Sequence, residues 1–114
     1  MLGRIKDSVL GRLIKRYLES KGYVVFDTNK HYGRDGLFTV HNDAFRRDPA
    51  FQASYNRGVH ASWGVDPQFE WRVHIALWAA TEALRSSGDF VECGVNAGFM
   101  SSAIMHHLDW ASLA

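Results

Sequence analysis

The stretch Gly88-Asp89-Phe90-Val91-Glu92-Cys93-Gly94-Val95-Asn96-Ala97-Gly98 decides the reading of this chain. Asp89 to Gly94 has the composition of a buried strand, and Gly94 to Gly98 reads as a tight loop. Phe99 to Leu108 then reads as a helix, with Met100, Ala103, Ile104 and His107 marking one face. Upstream, Asp66-Pro67 reads as a helix opening, an acid at the cap followed by a proline in the first position. That helix is expected to run to about Ser87, with Phe69, Val73, Ala76, Leu77, Ala80 and Leu84 on its apolar face and Gly88 as its break. Helix, strand, glycine loop and helix together open a parallel α/β unit.

Each residue type in the loop has a physical use. Gly94 allows a sharp turn and the approach of a ligand to the backbone. Gly98 allows the next helix to pack closely on the strand. Asn96 stands where a middle glycine is often found, and asparagine is among the few other residues that tolerate left-handed backbone geometry. The first turn of the following helix presents N–H groups to whatever sits beyond the strand end, which is where open α/β sheets bind ligands. Glu92 separates the kinds of ligand. A dinucleotide site uses G-x-G-x-x-G to seat a pyrophosphate. Here the spacing is G-x-x-x-G with a carboxylate just before it, which would repel a pyrophosphate and suits a cationic ligand. The competing reading is a plain turn in which Glu92 caps a backbone group.

Residues 69–110, and the quoted stretch above all, resemble the class I S-adenosylmethionine-dependent methyltransferases of the macrocin O-methyltransferase-like family. The resemblance implies a Rossmann-like fold. It also implies methyl transfer to a hydroxyl of a sugar or another small metabolite. Carried over, Glu92, Gly94, Asn96 and Gly98 fall on the cofactor motif. Phe99 stands where that family commonly has a further glycine, and Asn96-Ala97 where it commonly has a bulky or basic pair. In such an enzyme an acid ending the second strand, about 20 residues after the first loop, holds the ribose hydroxyls. The chain ends 16 residues beyond Gly98. That strand, the acceptor site, the general base and the ligands of any divalent metal are therefore expected outside it. The sequence is expected to be the opening of a longer enzyme, inactive by itself. The alternative is a non-catalytic binding or oligomerisation module built from its helices.

Other constellations are weaker. Gly94 to Gly98 has the spacing of a hydrolase nucleophile elbow, but Asn96 stands where serine would be. His106 and His107 are adjacent on a helix and diverge by about 100°, so no metal site is assigned; one is expected to be partly buried and the other exposed. Cys93 is expected to pack rather than react. Trp63, Trp71, Trp78 and Trp110 are read as core or interface, with an aromatic substrate platform as the alternative.

The division expected is residues 1–65, a mainly helical region with a short hairpin, and residues 66–114, the start of the methyltransferase domain. Within the first, residues 2–21 read as an amphipathic helix stopped by Gly22, basic by about four charges on a simple count. It either packs on its own domain or a second subunit, or lies on an acidic membrane surface. Residues 23–28 and 36–41 read as strands of a hairpin, with 29–36 as a loop. Residues 43–55 read as a short helix that Pro49 must start or split. The 114 residues, 46% apolar and 22% charged, have ordinary globular composition. A formal net charge of +1 gives no case for nucleic acid as a partner. No apolar run approaches the roughly 20 residues of a membrane span, and charges interrupt the N-terminus where a signal peptide would be apolar. One cysteine is compatible with a reducing compartment. A cytoplasmic protein acting on a small molecule is expected, with room for a homo-oligomer.

Overall fold

Ser8 opens the first element, its side chain accepting from the Gly11 amide at 3.0 Å. The computed structural model describes residues 8–25 and 31–113. Helix α1 (Val9–Ser20) ends as Gly22 predicts: Gly22 is left-handed at φ +82°, and the Gly22 and Tyr23 amides close back on the Glu19 and Leu18 carbonyls. This is a Schellman stop. α1 buries none of its residues. Residues 2–7 of the expected helix, and 26–28 of the expected first strand, lie outside the described residues.

The hairpin forms, with its second strand inside the expected segment and its first strand from other residues. β1 (Tyr32–Arg34) pairs antiparallel with β2 (Leu37–Thr39), Arg34 opposite Leu37. Residues 23–25 carry no strand, and the segment read as a loop supplies β1. The reason is the turn: Asp35 (φ 54°) and Gly36 (φ 70°) both adopt the left-handed geometry of a two-residue hairpin loop, and Asp-Gly is the dipeptide that tolerates it.

Asp48 and Pro49 set the boundary between the next two elements. Pro49 separates a 3-10 turn, Ala44–Arg47, from helix α2 (Pro49–Ala61), and Asp48 caps α2 by accepting from the Ala50 amide at 3.1 Å. Asp66-Pro67 does not act this way. Helix α3 (Glu70–Ala83) begins three residues later than expected and ends four earlier; its cap position is Phe69. Asp66 instead folds back on its own turn, accepting from the Gln68 amide at 2.8 Å and from the Tyr55 hydroxyl at 2.6 Å. Gln68, forced left-handed at φ 55°, cannot continue a helix.

Helix α4 (Phe99–His107) falls where expected, followed by a 3-10 turn at Trp110–Ser112. α2, α3 and α4 share one core of Phe51, Tyr55, Val73, Leu77, Phe99 and Ala103. Phe99 packs edge-on to Tyr55 at 5.2 Å and to Phe69 at 4.8 Å. Gly58 makes this possible, because a Cβ there would lie 2.6 Å from the Phe99 ring. The boundary expected at 65/66 thus runs through a single core, since α2 supplies the surface on which α4 packs.

The buried strand expected at 89–94 is not formed among the described residues. Asp89 to Glu92 is unpaired, and Val91 is 83% exposed. A strand exists by virtue of its ladder partner, and the ladder found here is the hairpin's. Cys93, expected to pack, is exposed for the same reason. Of the tryptophans only Trp71 is half-buried; Trp63 is 82% exposed.

Candidate functional site

The loop from Gly94 to Gly98 is built from backbone conformations that few residues accept. Gly94 (φ 76°), Asn96 (φ 51°) and Gly98 (φ 79°) are all left-handed, alternating with Val95 and Ala97. Asn96 therefore does what the sequence implies for it. Gly98 has a different role from the one expected. A Cβ on Gly98 would meet nothing closer than 4.0 Å, so glycine is required there by its dihedral angle and not by close packing. Gly98 is the cap residue of α4, and its carbonyl accepts the first helical bond, from Ser102, at 2.9 Å. A Cβ on Gly94 would likewise meet nothing within 4 Å. The path beside this turn is open to an approaching group.

Glu92 lies just before the loop, with its carboxylate against the first turn of α4. There it accepts from the Ser101 hydroxyl. It therefore bonds a side chain rather than capping a backbone group. The helix N-terminus beside it carries partial positive charge, which favours an anion at this position. Glu92 and Ser101 form the polar end of a cleft of about 430 Å³, whose walls are Phe90, Val95, Met100, Ile104, Met105 and Trp110. Phe90 and Trp110 meet edge to face at 5.3 Å. Ser101 is absent from the sequence reading. Its signal was its place, three residues into the helix and nine after Glu92.

A carboxylate, a turn with no side chain at Gly94 and a helix N-terminus therefore stand side by side. Glu92, Gly94, Asn96 and Gly98 are brought together within one loop. His106 and His107 are not part of it. Both are exposed, whereas one was expected to be partly buried; they reach opposite neighbours, Ser54 on α2 at 3.3 Å and Thr81 on α3 at 3.2 Å.

A second polar constellation lies at the other end of the core. Glu70 is only 6% exposed. It accepts from the Tyr32 hydroxyl at 3.1 Å and from Arg34 at 2.9 Å, and pairs with Arg46 at 3.2 Å. Arg46 also pairs with Asp43 at 3.1 Å. Burial alone would lower the Arg46 pKa, but the Asp43 hydrogen bond and the Glu70 and Asp43 charges outweigh it and hold the guanidinium more firmly charged. Burial raises the phenols of Tyr32 and Tyr55, assisted by the acids they bond, Glu70 and Asp66. Every member of the set has its partner inside the protein. The arrangement fastens the hairpin and the 3-10 turn to α3, since β1 contributes Tyr32 and Arg34 and the turn contributes Arg46.

No family model, curated protein or solved structure matches this chain.

Proposed function

We propose that residues 89–107 form the cofactor-binding segment, loop and helix of an S-adenosylmethionine-dependent methyltransferase, acting on a hydroxyl of a sugar or another small metabolite. The observation that carries this reading is the loop itself: three left-handed residues in alternation, following an acid and delivering the chain directly into a helix N-terminus. That geometry leaves the backbone bare where a ligand approaches, and Glu92 supplies the charge that a sulfonium and an amino group call for. The exposed apolar pair Phe90 and Val91 supports the same reading, because a surface of this kind is suited to lie between neighbouring strands.

When bound, S-adenosylmethionine supplies a methyl group activated by the sulfonium. In this chain Glu92 holds the cationic part and Ser101 orients Glu92. The Gly94 turn excludes side chains from the ligand's path. The rate advantage in such a reaction comes largely from holding acceptor and methyl carbon in line.

Isothermal titration of the protein with S-adenosylmethionine and with S-adenosylhomocysteine tests the assignment. Losing one partner of a charge-assisted contact costs about 1.5–3 kcal/mol, so Glu92→Gln is expected to weaken binding roughly 10- to 150-fold. The sulfonium-free product should be affected less than the cofactor. Gly94→Val should abolish binding of both. A folded Glu92→Gln variant that binds like the parent removes the cofactor role of Glu92 and leaves a plain structural turn.

A further inference from the structure

Helix α1 has an apolar surface that the other described residues do not cover. Val9, Leu10, Leu13, Ile14 and Tyr17 are all exposed, and no residue of α1 is buried. At about 100° per residue these five, with Leu18, fill one half of the helix circumference. Arg12, Lys15, Arg16, Glu19 and Gly11 fill the other half. Tyr23 and Val24, just past the helix stop, are exposed as well. A helix divided in this way, with Ser20 the one polar residue inside the apolar half and with arginine and lysine on the polar side, has the pattern of one lying in a bilayer interface.

Charge decides which partner fits this face. Residues 1–25 hold six basic residues against two acids, whereas residues 26–114 hold seven against ten. The molecule is basic at its N-terminal end and acidic elsewhere. Arg12 and Arg16 border one edge of the apolar half and Lys15 stands behind the other, so two copies of α1 laid face to face would bring basic edges together. Glu19, the one acid of the helix, is already paired with Lys15 at 3.7 Å. An anionic lipid surface satisfies both halves at once. The apolar side chains enter the acyl boundary, the long basic side chains reach up to the headgroups, and the acidic remainder of the chain turns toward water.

We infer that α1 is a peripheral anchor that seats the protein on an anionic bilayer surface without crossing it; no helix among the described residues is long and apolar enough to span one. This inference is independent of the methyltransferase reading, since no residue of α1 takes part in the loop at 89–107.

The test is flotation of the full chain with extruded vesicles, one set of phosphatidylcholine alone and one in which about a third of the lipid is phosphatidylserine, matching the anionic leaflets that attract basic segments. The expected result is at least tenfold stronger partition to the anionic vesicles, reduced by high salt as charges are screened. Leu13→Asp combined with Ile14→Asp should abolish binding. Lys15→Glu combined with Arg16→Glu should remove the preference for anionic lipid. Both variants should keep the parent's thermal unfolding, because the altered positions lie outside the core. Three results would overturn the inference: equal partition to both vesicle types, no partition to either, or a stable dimer in solution that Leu13→Asp dissociates.

Discussion

Gly58 sits where α2 and α4 come closest, and the Phe99 ring occupies the space a side chain would need. Gly58→Ala raises helix propensity, which by itself favours α2. The clash outweighs it: overpacking a filled core costs about 1–3 kcal/mol. Denaturant unfolding should show a lower midpoint for Gly58→Ala, and combining it with Phe99→Leu should cost less than the two changes added. Strict additivity would mean that the two residues do not meet. Glu70 presents the opposite case, a charge taken in rather than a side chain kept out. Glu70→Ala leaves Arg34, Arg46 and the Tyr32 hydroxyl without their acceptor, and because both arginines are about one-third exposed to water the expected loss is about 1–3 kcal/mol. Glu70→Gln, which keeps an accepting oxygen, should lose less. Equal melting of parent and Glu70→Ala would show that the network adds nothing. The sequence made one of these residue-scale features visible and hid the others. Asn96 announces its left-handed conformation because few side chains can adopt it. Glu70 gave no such sign: it reads as the polar first turn of a helix, although it lies in register with Val73, Leu77 and Ala80, and its partners stand 24 to 38 positions away.

The helices were legible at the element scale wherever local chemistry settles their ends. Gly22 and the run from Phe99 to His107 needed nothing from elsewhere in the chain, whereas Ser8, the cap of α1, fell inside the helix read from residue 2. Asp48-Pro49 and Asp66-Pro67 show where local chemistry stops deciding, since the same dipeptide opens α2 and fails to open α3. At Asp66 the carboxylate is engaged by the Tyr55 hydroxyl, a contact made across the core that no local signal contains. Asp48→Ala should therefore cost about 1 kcal/mol of stability through loss of the α2 cap. The corresponding change at Asp66 should leave α3 intact and act on Tyr55. Helical circular dichroism and thermal unfolding of the two variants would distinguish these effects; a shortened α3 in Asp66→Ala would show that it caps that helix after all. The hairpin was missed in its first strand for a different reason. β-branched residues at 23–28 drew the reading away from Asp35-Gly36, although the turn, and not the composition of the flanking run, fixes which residues pair. The loop at 94–98 was legible from spacing alone. The state of Asp89 to Glu92 was not, because a strand is a property of two segments.

Cohesion at the scale of the whole molecule runs through aromatic rings, and one member of that set titrates. His74 on α3 stacks flat on Phe45, with ring centroids 4.0 Å apart, and stands edge-on to Trp71 at 5.7 Å and to Phe51 at 6.2 Å. These contacts tie the 3-10 turn, α2 and α3 together. Burial among the rings disfavours the imidazolium and lowers the His74 pKa below its ordinary 6.5. In the unfolded chain the ring is solvated and protonates at the ordinary value. Below that value the unfolded state therefore binds more protons than the folded one, and stability falls as pH falls. The loss begins near pH 6.5 and stops growing once the lowered folded-state pKa has been passed, where both states carry the proton. Carboxylates titrate at the lower end of the same range, so the parent's melting curve alone does not isolate the histidine. His74→Phe retains a flat ring against Phe45 and cannot protonate. The melting temperatures of parent and variant, measured from about pH 7.5 down to about 4.5, should run parallel above the ordinary histidine value and diverge below it, with the parent losing more. A constant offset across the whole range would mean that His74 takes up its proton equally well in the folded and unfolded chain, and that the aromatic cluster does not exclude charge.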